Sequence, residues 1–279
     1  MSTAGTTPAS LPIYRVRARN TSVDSENKIH DDSVAASYGF RGGLVPGITV
    51  YAYMTVPLVA RFGLDWLERG SMHVKFQQPF YDGEEVIVRA EVDQGESSIK
   101  VNLTASREDG AACATALATV GDRSQWLGAP VIENYPEASL PQFEARPVAT
   151  RESLVPRALL GSLTQKLTVP DADVLETLNE RLWIYSGVGA VAHPFVLLRL
   201  ANEILMRNFK LGPWIHAASD LINWSAVRDG EEISIRGRIA DCFERKGHEF
   251  VVLDLLLVAE KSRAVQQVTH TAIYRPRSS

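Results

Sequence analysis

Residues 24–32 read Asp-Ser-Glu-Asn-Lys-Ile-His-Asp-Asp and hold the densest group of side chains that could do chemistry. An imidazole titrates near neutral pH, so His30 is suited to take a proton and return it. Asn27 can orient a water or hold the turn that presents His30. Ser25 can hydrogen-bond an imidazole or place a water, but at neutral pH it cannot accept a proton as a carboxylate does. Asp24 and Glu26 flank Ser25, yet neighbouring side chains of an extended loop point to opposite sides. Asp31 or Asp32 is expected to cap a short helix over residues 31–38.

A glycine-rich elbow, Gly42-Gly43-Leu-Val-Pro-Gly47, leads from this cluster into an apolar helix, Gly47–Phe62. Pro46 suits the first turn, and Pro57 should kink the helix because it removes an internal donor. The first turn of a helix presents unpaired N–H groups and the positive end of the dipole. Glycine lets a ligand approach the backbone closely. Gly47 is therefore a candidate to meet negative charge on a ligand, or, with Gly42 and Gly43, simply shapes a tight entry to the helix. Strands should follow at 72–78, 85–92, 98–107 and 111–120, with turns at 93–96 and 108–110.

The chain repeats this order. Asp82-Gly-Glu-Glu-Val recurs as Asp229-Gly-Glu-Glu-Ile, 147 residues on (82 to 229), and Phe62 and Leu64 match Phe209 and Leu211 at that offset. Pro46 with Pro194, and Asp93 with Asp241, match at 148 (46 to 194, 93 to 241). A second helix is expected over 194–209 and strands at 214–224, 232–240, 249–258 and 264–274. A repeat this long is a duplicated domain, not a solenoid unit. The expected organisation is a first domain over 12–122, a Pro-rich linker over 123–152 and a second domain over 153–276. Residues 1–11 read as a mobile tail.

Composition narrows the field. The chain has 279 residues, 45% of them hydrophobic and 22% charged, as a globular protein with a core requires. Its net charge of -4 and the absence of a basic stripe speak against nucleic acid. No run is long enough to span a membrane, and the N-terminus does not read as a secretory signal. The two cysteines, Cys113 and Cys242, read as buried free thiols, which fits a reducing cytoplasm. The six histidines show no metal-ligand spacing, and no cofactor is implied.

Asn27, Ile29, His30, Asp32, Ala35, Gly39, Phe40 and Gly47 resemble the active-site segment of the MaoC-like (R)-specific enoyl-CoA hydratases. In that family the pattern is Asp-x-Asn-Pro-Leu/Ile-His-x-Asp, then Ala, Gly-Phe and His-Gly. Ser25 here replaces the catalytic Asp, Lys28 the Pro and Pro46 the second His. The resemblance implies an α+β double hot-dog, two curved antiparallel sheets each wrapped around a central helix and joined as an internal pseudo-dimer. Whether whole chains pair further is left open. It implies an acyl-CoA or acyl-carrier-protein thioester as substrate and hydration or dehydration as the reaction. His30 would be the acid/base, Asn27 and Ser25 would position water, and Gly47, Tyr38 and Phe40 would bind substrate. Arg41, Arg61 and Lys75 are cations that could meet CoA phosphates. Two alternatives stand beside this reading. Thioester hydrolysis would use His193, Asn202 and Glu203 of the second copy, although Glu203 could simply pair with Arg199. The missing Asp points instead to a non-catalytic acyl-thioester binding protein.

Overall fold

A computed structural model describes residues 9–94, 98–121 and 128–277. The expected turn at 93–96 and the expected linker both fall partly outside these residues. Eleven strands among them form one antiparallel sheet. In the first half lie β1 (Ala9–Ser10), β2 (Tyr14–Arg17), β3 (Ser71–Phe76), β4 (Glu85–Gln94), β5 (Ser98–Ser106) and β6 (Ala112–Gly121). In the second lie β7 (Leu159–Lys166), β8 (Ile215–Asn223), β9 (Glu232–Arg245), β10 (His248–Ala259) and β11 (Arg263–Arg275). The order is β1-β4-β5-β6-β3-β8-β11-β10-β9-β7, with β2 also on β4. Ala9 and Ser10 pair with Val92 and Glu91, so this part of the expected tail is a strand, and residues 1–8 lie outside the described residues.

The halves meet where β3 pairs with β8. His73 lies opposite Asp220 in this ladder and hydrogen-bonds its carboxylate through Nδ1. These two positions are themselves 147 apart (73 to 220), so the pseudo-two-fold passes between them. Each Asp-Gly-Glu-Glu copy forms the same turn. Gly83 and Gly230 both have φ +78°, a left-handed conformation that favours glycine. Asp82 accepts from the Asn20 N–H at 2.8 Å and Asp229 from the Val169 N–H at 2.8 Å. Glu84 and Glu231 accept from the N–H of Tyr81 and Arg228. The repeat in sequence is thus a repeated hydrogen-bonding device.

Two details of the repeat are corrected. Leu44 bridges to Tyr81 and Val191 to Arg228, both at offset 147 (44 to 191, 81 to 228). His193 therefore occupies the position of Pro46, not Val45, and Pro194 that of Gly47. The offset becomes 148 only at Ala240, which is skipped where Val252 faces Asp241 and Leu253 faces Ile239. A bulge adds one residue to one strand, and this one accounts for the Asp93–Asp241 match.

Among the described residues the α-helices are α1 (Asp32–Ser37), α2 (Gly47–Phe62), α3 (Leu64–Arg69), α4 (Ala172–Leu178) and α5 (Pro194–Asn208). α2 is buried on almost every side and runs unbroken through Pro57. It is enclosed by the sheet and by α5, so an apolar stripe on one face alone would not suffice. The run Leu255-Leu256-Leu257-Val258 in β10 is buried on both faces. Its outer face is covered by Tyr135, which packs on Leu256 and Val258. The segment expected to be a linker thus serves partly as a cover. Arg146, from the same stretch, is buried and donates to the Met206 carbonyl at 2.5 Å. Cys113 is buried, but Cys242 is only half-buried.

Candidate active site

The segment between β2 and α2 is pinned at both ends by side chains. Asp31, not Asp32, caps α1, accepting from the N–H groups of Ser33 and Val34. Asp32 instead accepts from the Gly43 N–H at 2.7 Å and holds the elbow closed. A Cβ at Gly43 would lie 2.1 Å from the His30 carbonyl oxygen, so only glycine fits there. The elbow therefore presses on the backbone of His30 and sets its position.

His30 is held by two contacts. Its Nδ1 lies 2.7 Å from the Leu44 carbonyl, which only accepts, so Nδ1 carries the proton. Nε2 is then the basic nitrogen, 3.3 Å from Nδ2 of Asn27. Burial drives the imidazole below its ordinary value, against the opposing Leu44 carbonyl, which keeps Nε2 free of a proton at neutral pH.

Asn27 is the hinge of the site. It is buried, accepts from the Trp214 N–H at 3.0 Å and donates to the Trp214 carbonyl at 2.9 Å. It also accepts from the Ile29 N–H at 3.3 Å. One side chain thus joins the first half to the second and still faces His30.

His30 and Asn27 line a cavity of ≈ 290 Å³ together with Phe40, Gly47, Asn202 and His216. The start of α2 opens into it, and no side chain caps that start. An adjoining cavity of ≈ 400 Å³ shares Asn27, His30, Pro46, Asn202 and Trp214, and adds Ser25, Arg199 and Glu203. Oδ1 of Asn202 is buried there without a hydrogen-bond partner.

Several expected residues sit elsewhere. Ser25 donates to the Asn27 carbonyl at 3.2 Å and does not reach His30. Glu26 pairs with Arg146 at 3.3 Å. No carboxylate among the described residues is hydrogen-bonded to the His30 imidazole, since both ring nitrogens are met by other groups. Tyr38 packs with Ile29, Ala35 and Leu44 outside the cavity wall. Arg41 is ion-paired to Glu84 and stacks on Tyr81.

The expected second-copy group is split. Asn202 and Glu203 reach the cavities that His30 lines, with Glu203 3.3 Å from Arg199. Burial raises the Glu203 carboxyl, against Arg199 and Arg207. His193 lies apart from them. It caps α5 by accepting from the Phe195 N–H at 3.0 Å, and its Nε2 is 3.4 Å from buried Glu180. Glu180 and His216 were not legible in sequence, because nothing around either residue sets it apart.

Comparison with known proteins rests on structure. No family model matches the chain, and no curated protein matches it. A conserved hypothetical protein of Mycobacterium tuberculosis, essential for bacterial survival during infection and described as a double hotdog fold, superposes with a TM-score of 0.64. It is 14% identical, and the match covers 95% of this chain and 96% of that one. The chain is a double hot-dog.

A MaoC-like dehydratase matches this double hot-dog with a TM-score of 0.60 at 12% identity, covering 96% of this chain and 98% of the other. A Thermobifida fusca YX protein provisionally named a thioesterase II matches with 0.54 at 16% identity, covering 94% and 91%. The shared fold thus spans names from two reaction classes. The choice between them falls to the residues of the cavity.

Proposed function

We propose that this chain acts on an acyl thioester at the start of α2, interconverting a 2-enoyl and a 3-hydroxyacyl thioester. The observation that carries this reading is that basic Nε2 of His30 and the uncapped first turn of α2 face one cavity. The thioester carbonyl would sit against the Gly47 N–H and the acyl chain would run along the apolar wall. In hydration, Nε2 takes a proton from water as the water oxygen bonds to C3. The C2–C3 π pair moves toward the carbonyl, where the helix start stabilises the enolate oxygen. The imidazolium then gives its proton to C2, so water is added and His30 is restored. With the Ser25 hydroxyl bonded to the Asn27 carbonyl, His30 works without a carboxylate partner, and the water takes the place of the 3.3 Å Asn27 contact on Nε2 before the proton moves. Substrate can be linked to CoA or to a carrier protein.

Loss of the conjugated enoyl absorbance on adding 2-enoyl-CoA tests this. His30→Ala should lower the rate about 10²–10⁴-fold, as removal of a general acid/base does. An unchanged rate would remove His30 from the mechanism.

A second reading is supported by Glu203. Its carboxyl, raised by burial, lies in the cavity that adjoins His30 and could activate water for thioester hydrolysis. Release of thiol from acyl-CoAs, abolished in Glu203→Gln, would put this reading first. Absence of thiol release at every chain length would end it.

A further inference from the structure

Behind Gly47 the second half places a side chain that the reaction above does not use. Ala217 is skipped in β8, since Ala218 faces Thr271 while His216 faces Ala272. This bulge turns His216 to the face on which Ser219 points. Nε2 of His216 lies 2.8 Å from the Ser219 hydroxyl, and that hydroxyl lies 3.2 Å from Nδ1 of His270. The two rings are 4.3 Å apart. His216 is 5% exposed, and Ser219 and His270 are 0% exposed. Nδ1 of His216 and Nε2 of His270 have no hydrogen-bond partner. A Cβ at Gly47 would lie 3.1 Å from Nδ1 of His216, so the ring backs directly onto the start of α2.

The serine hydroxyl has one proton, so the chain of bonds can run in two directions. In one, His216 donates to Ser219 and Ser219 to His270. That leaves an N–H on Nε2 of His270 with no acceptor in the core. In the other, His270 donates to Ser219, Ser219 donates to Nε2 of His216, and His216 carries its N–H on Nδ1. Each direction thus leaves one N–H without a partner, on Nε2 of His270 in the first and on Nδ1 of His216 in the second, but only His216 lines the cavity, where a ligand can supply the acceptor. Burial holds both rings neutral, His216 well below its ordinary value and His270 at about 3, so a doubly protonated ring is not available to break the choice.

We infer that Nδ1–H of His216 is a second donor, beside the Gly47 N–H, to the carbonyl oxygen of the bound thioester. Ser219 and His270 are positioning residues that fix the donor tautomer. The site is then shared between the halves, with the base from the first and one carbonyl donor from the second, an inference that rests on the acyl-thioester reading. His216 moves no proton; it strengthens a hydrogen bond as charge grows on the oxygen.

The test uses butyryl-CoA and octanoyl-CoA isotope-labelled at the carbonyl, and the matching 2-enoyl-CoAs for turnover. The carbonyl stretch of the bound probe should move to lower frequency in the wild type and relax in His216→Phe. His216→Asn, whose amide N–H can stand near Nδ1, should keep most of the shift. Turnover in His216→Phe should fall on the order of 10²-fold in kcat with little change in KM. If the Phe variant does not fold, histidine nitrogen NMR of the wild type decides. A protonated Nδ1 on His216 that responds to the probe supports the inference, and a lone-pair Nδ1 overturns it. Hydration by the wild type with both carbonyl band and kcat unchanged in His216→Phe overturns the inference and leaves the hydratase reading intact. A shifted band without turnover keeps the inference and removes that reading. A wild type that binds neither probe overturns both.

Discussion

The starts of α2 and α5 are equivalent positions in one duplicated fold, yet they are built for opposite ends. α2 begins at Gly47 with Pro46 before it, uncapped, and opens on a cavity of ≈ 290 Å³. α5 begins at Pro194, which has no N–H, and His193 accepts the Phe195 N–H. The pocket that His193 lines at this start is ≈ 10 Å³. Tyr185 packs at a tilt on His193, with ring centroids 4.5 Å apart, and Glu180 lies 3.4 Å from its Nε2. At α5 the first-turn donors are absent or capped, so they have nothing to offer a ligand. At α2 the Thr49 N–H turns back to the Pro46 carbonyl, but no side chain caps Gly47 or Ile48. Duplication thus left one helix start uncapped on a cavity while the other is capped and closed by packing.

The two histidines give the largest contrast. His30→Ala should lower turnover about 10²–10⁴-fold with little loss of stability, because the residue faces a cavity. His193→Ala should do the reverse. It removes one neutral donor from the buried Glu180 carboxylate, which keeps the Arg181 and Leu182 N–H groups, and should cost about 1.5–3 kcal/mol, read as a lower urea midpoint, while kcat holds. Burial pushes Glu180 up, but hydrogen bonds from His193, Leu182 and Arg181 outweigh it and hold the carboxyl below its usual range. Equal loss of kcat in both variants would dissolve the distinction between the two helix starts.

Acid should weaken the fold through the same residues. His30, His193, His216 and His270 are all held by burial below the ordinary value of 6.5. The unfolded chain therefore binds more protons than the folded one below that value. Stability is full above 6.5 and falls as pH drops, by about 1.4 kcal/mol per unit for each histidine that stays neutral in the fold. Urea midpoints at about pH 7 and about pH 5 measure this, and equal midpoints would contradict it. In His193→Gln the slope should ease, since one contributor at the closed start is gone.

Smaller effects sharpen the joint between the halves. Asn27→Ala removes the partner of both the N–H and the carbonyl of Trp214, and should cost about 1–3 kcal/mol for each group that water cannot reach. It should also lower turnover, since His30 loses its neighbour. Gly47→Ala puts a methyl 3.1 Å from Nδ1 of His216. The helix start must shift by a few tenths of an ångström, and a drop in kcat on the order of tenfold is expected with the fold intact. The matching change at the closed start, Pro194→Ala, should leave kcat alone.

Much of the fold was legible. Alternating strands, an apolar helix and a repeated Asp-Gly-Glu-Glu turn each follow from local rules, because period, turn chemistry and capping act over a few residues. The site was legible only in part. His30, Asn27, Phe40 and Gly47 could be named because the residues that place them lie within one continuous segment. Ser25 and Tyr38 carry the right chemistry, but the Ser25 hydroxyl, in the wall of the adjoining cavity, is taken by the Asn27 carbonyl, and a satellite apolar cluster draws Tyr38 out of both cavities. The sequence by itself determined the duplication, the apolar central helices and a histidine poised before the first of them. Only the tertiary structure decided that Asn27 would bind Trp214, that Glu180 would be buried against His193, and that His216 would stand behind Gly47. Those contacts join residues far apart in the chain. Strand register, a single-residue bulge at Ala217 and the pairing of β3 with β8 set them, and none of these is written in the spacing of nearby residues.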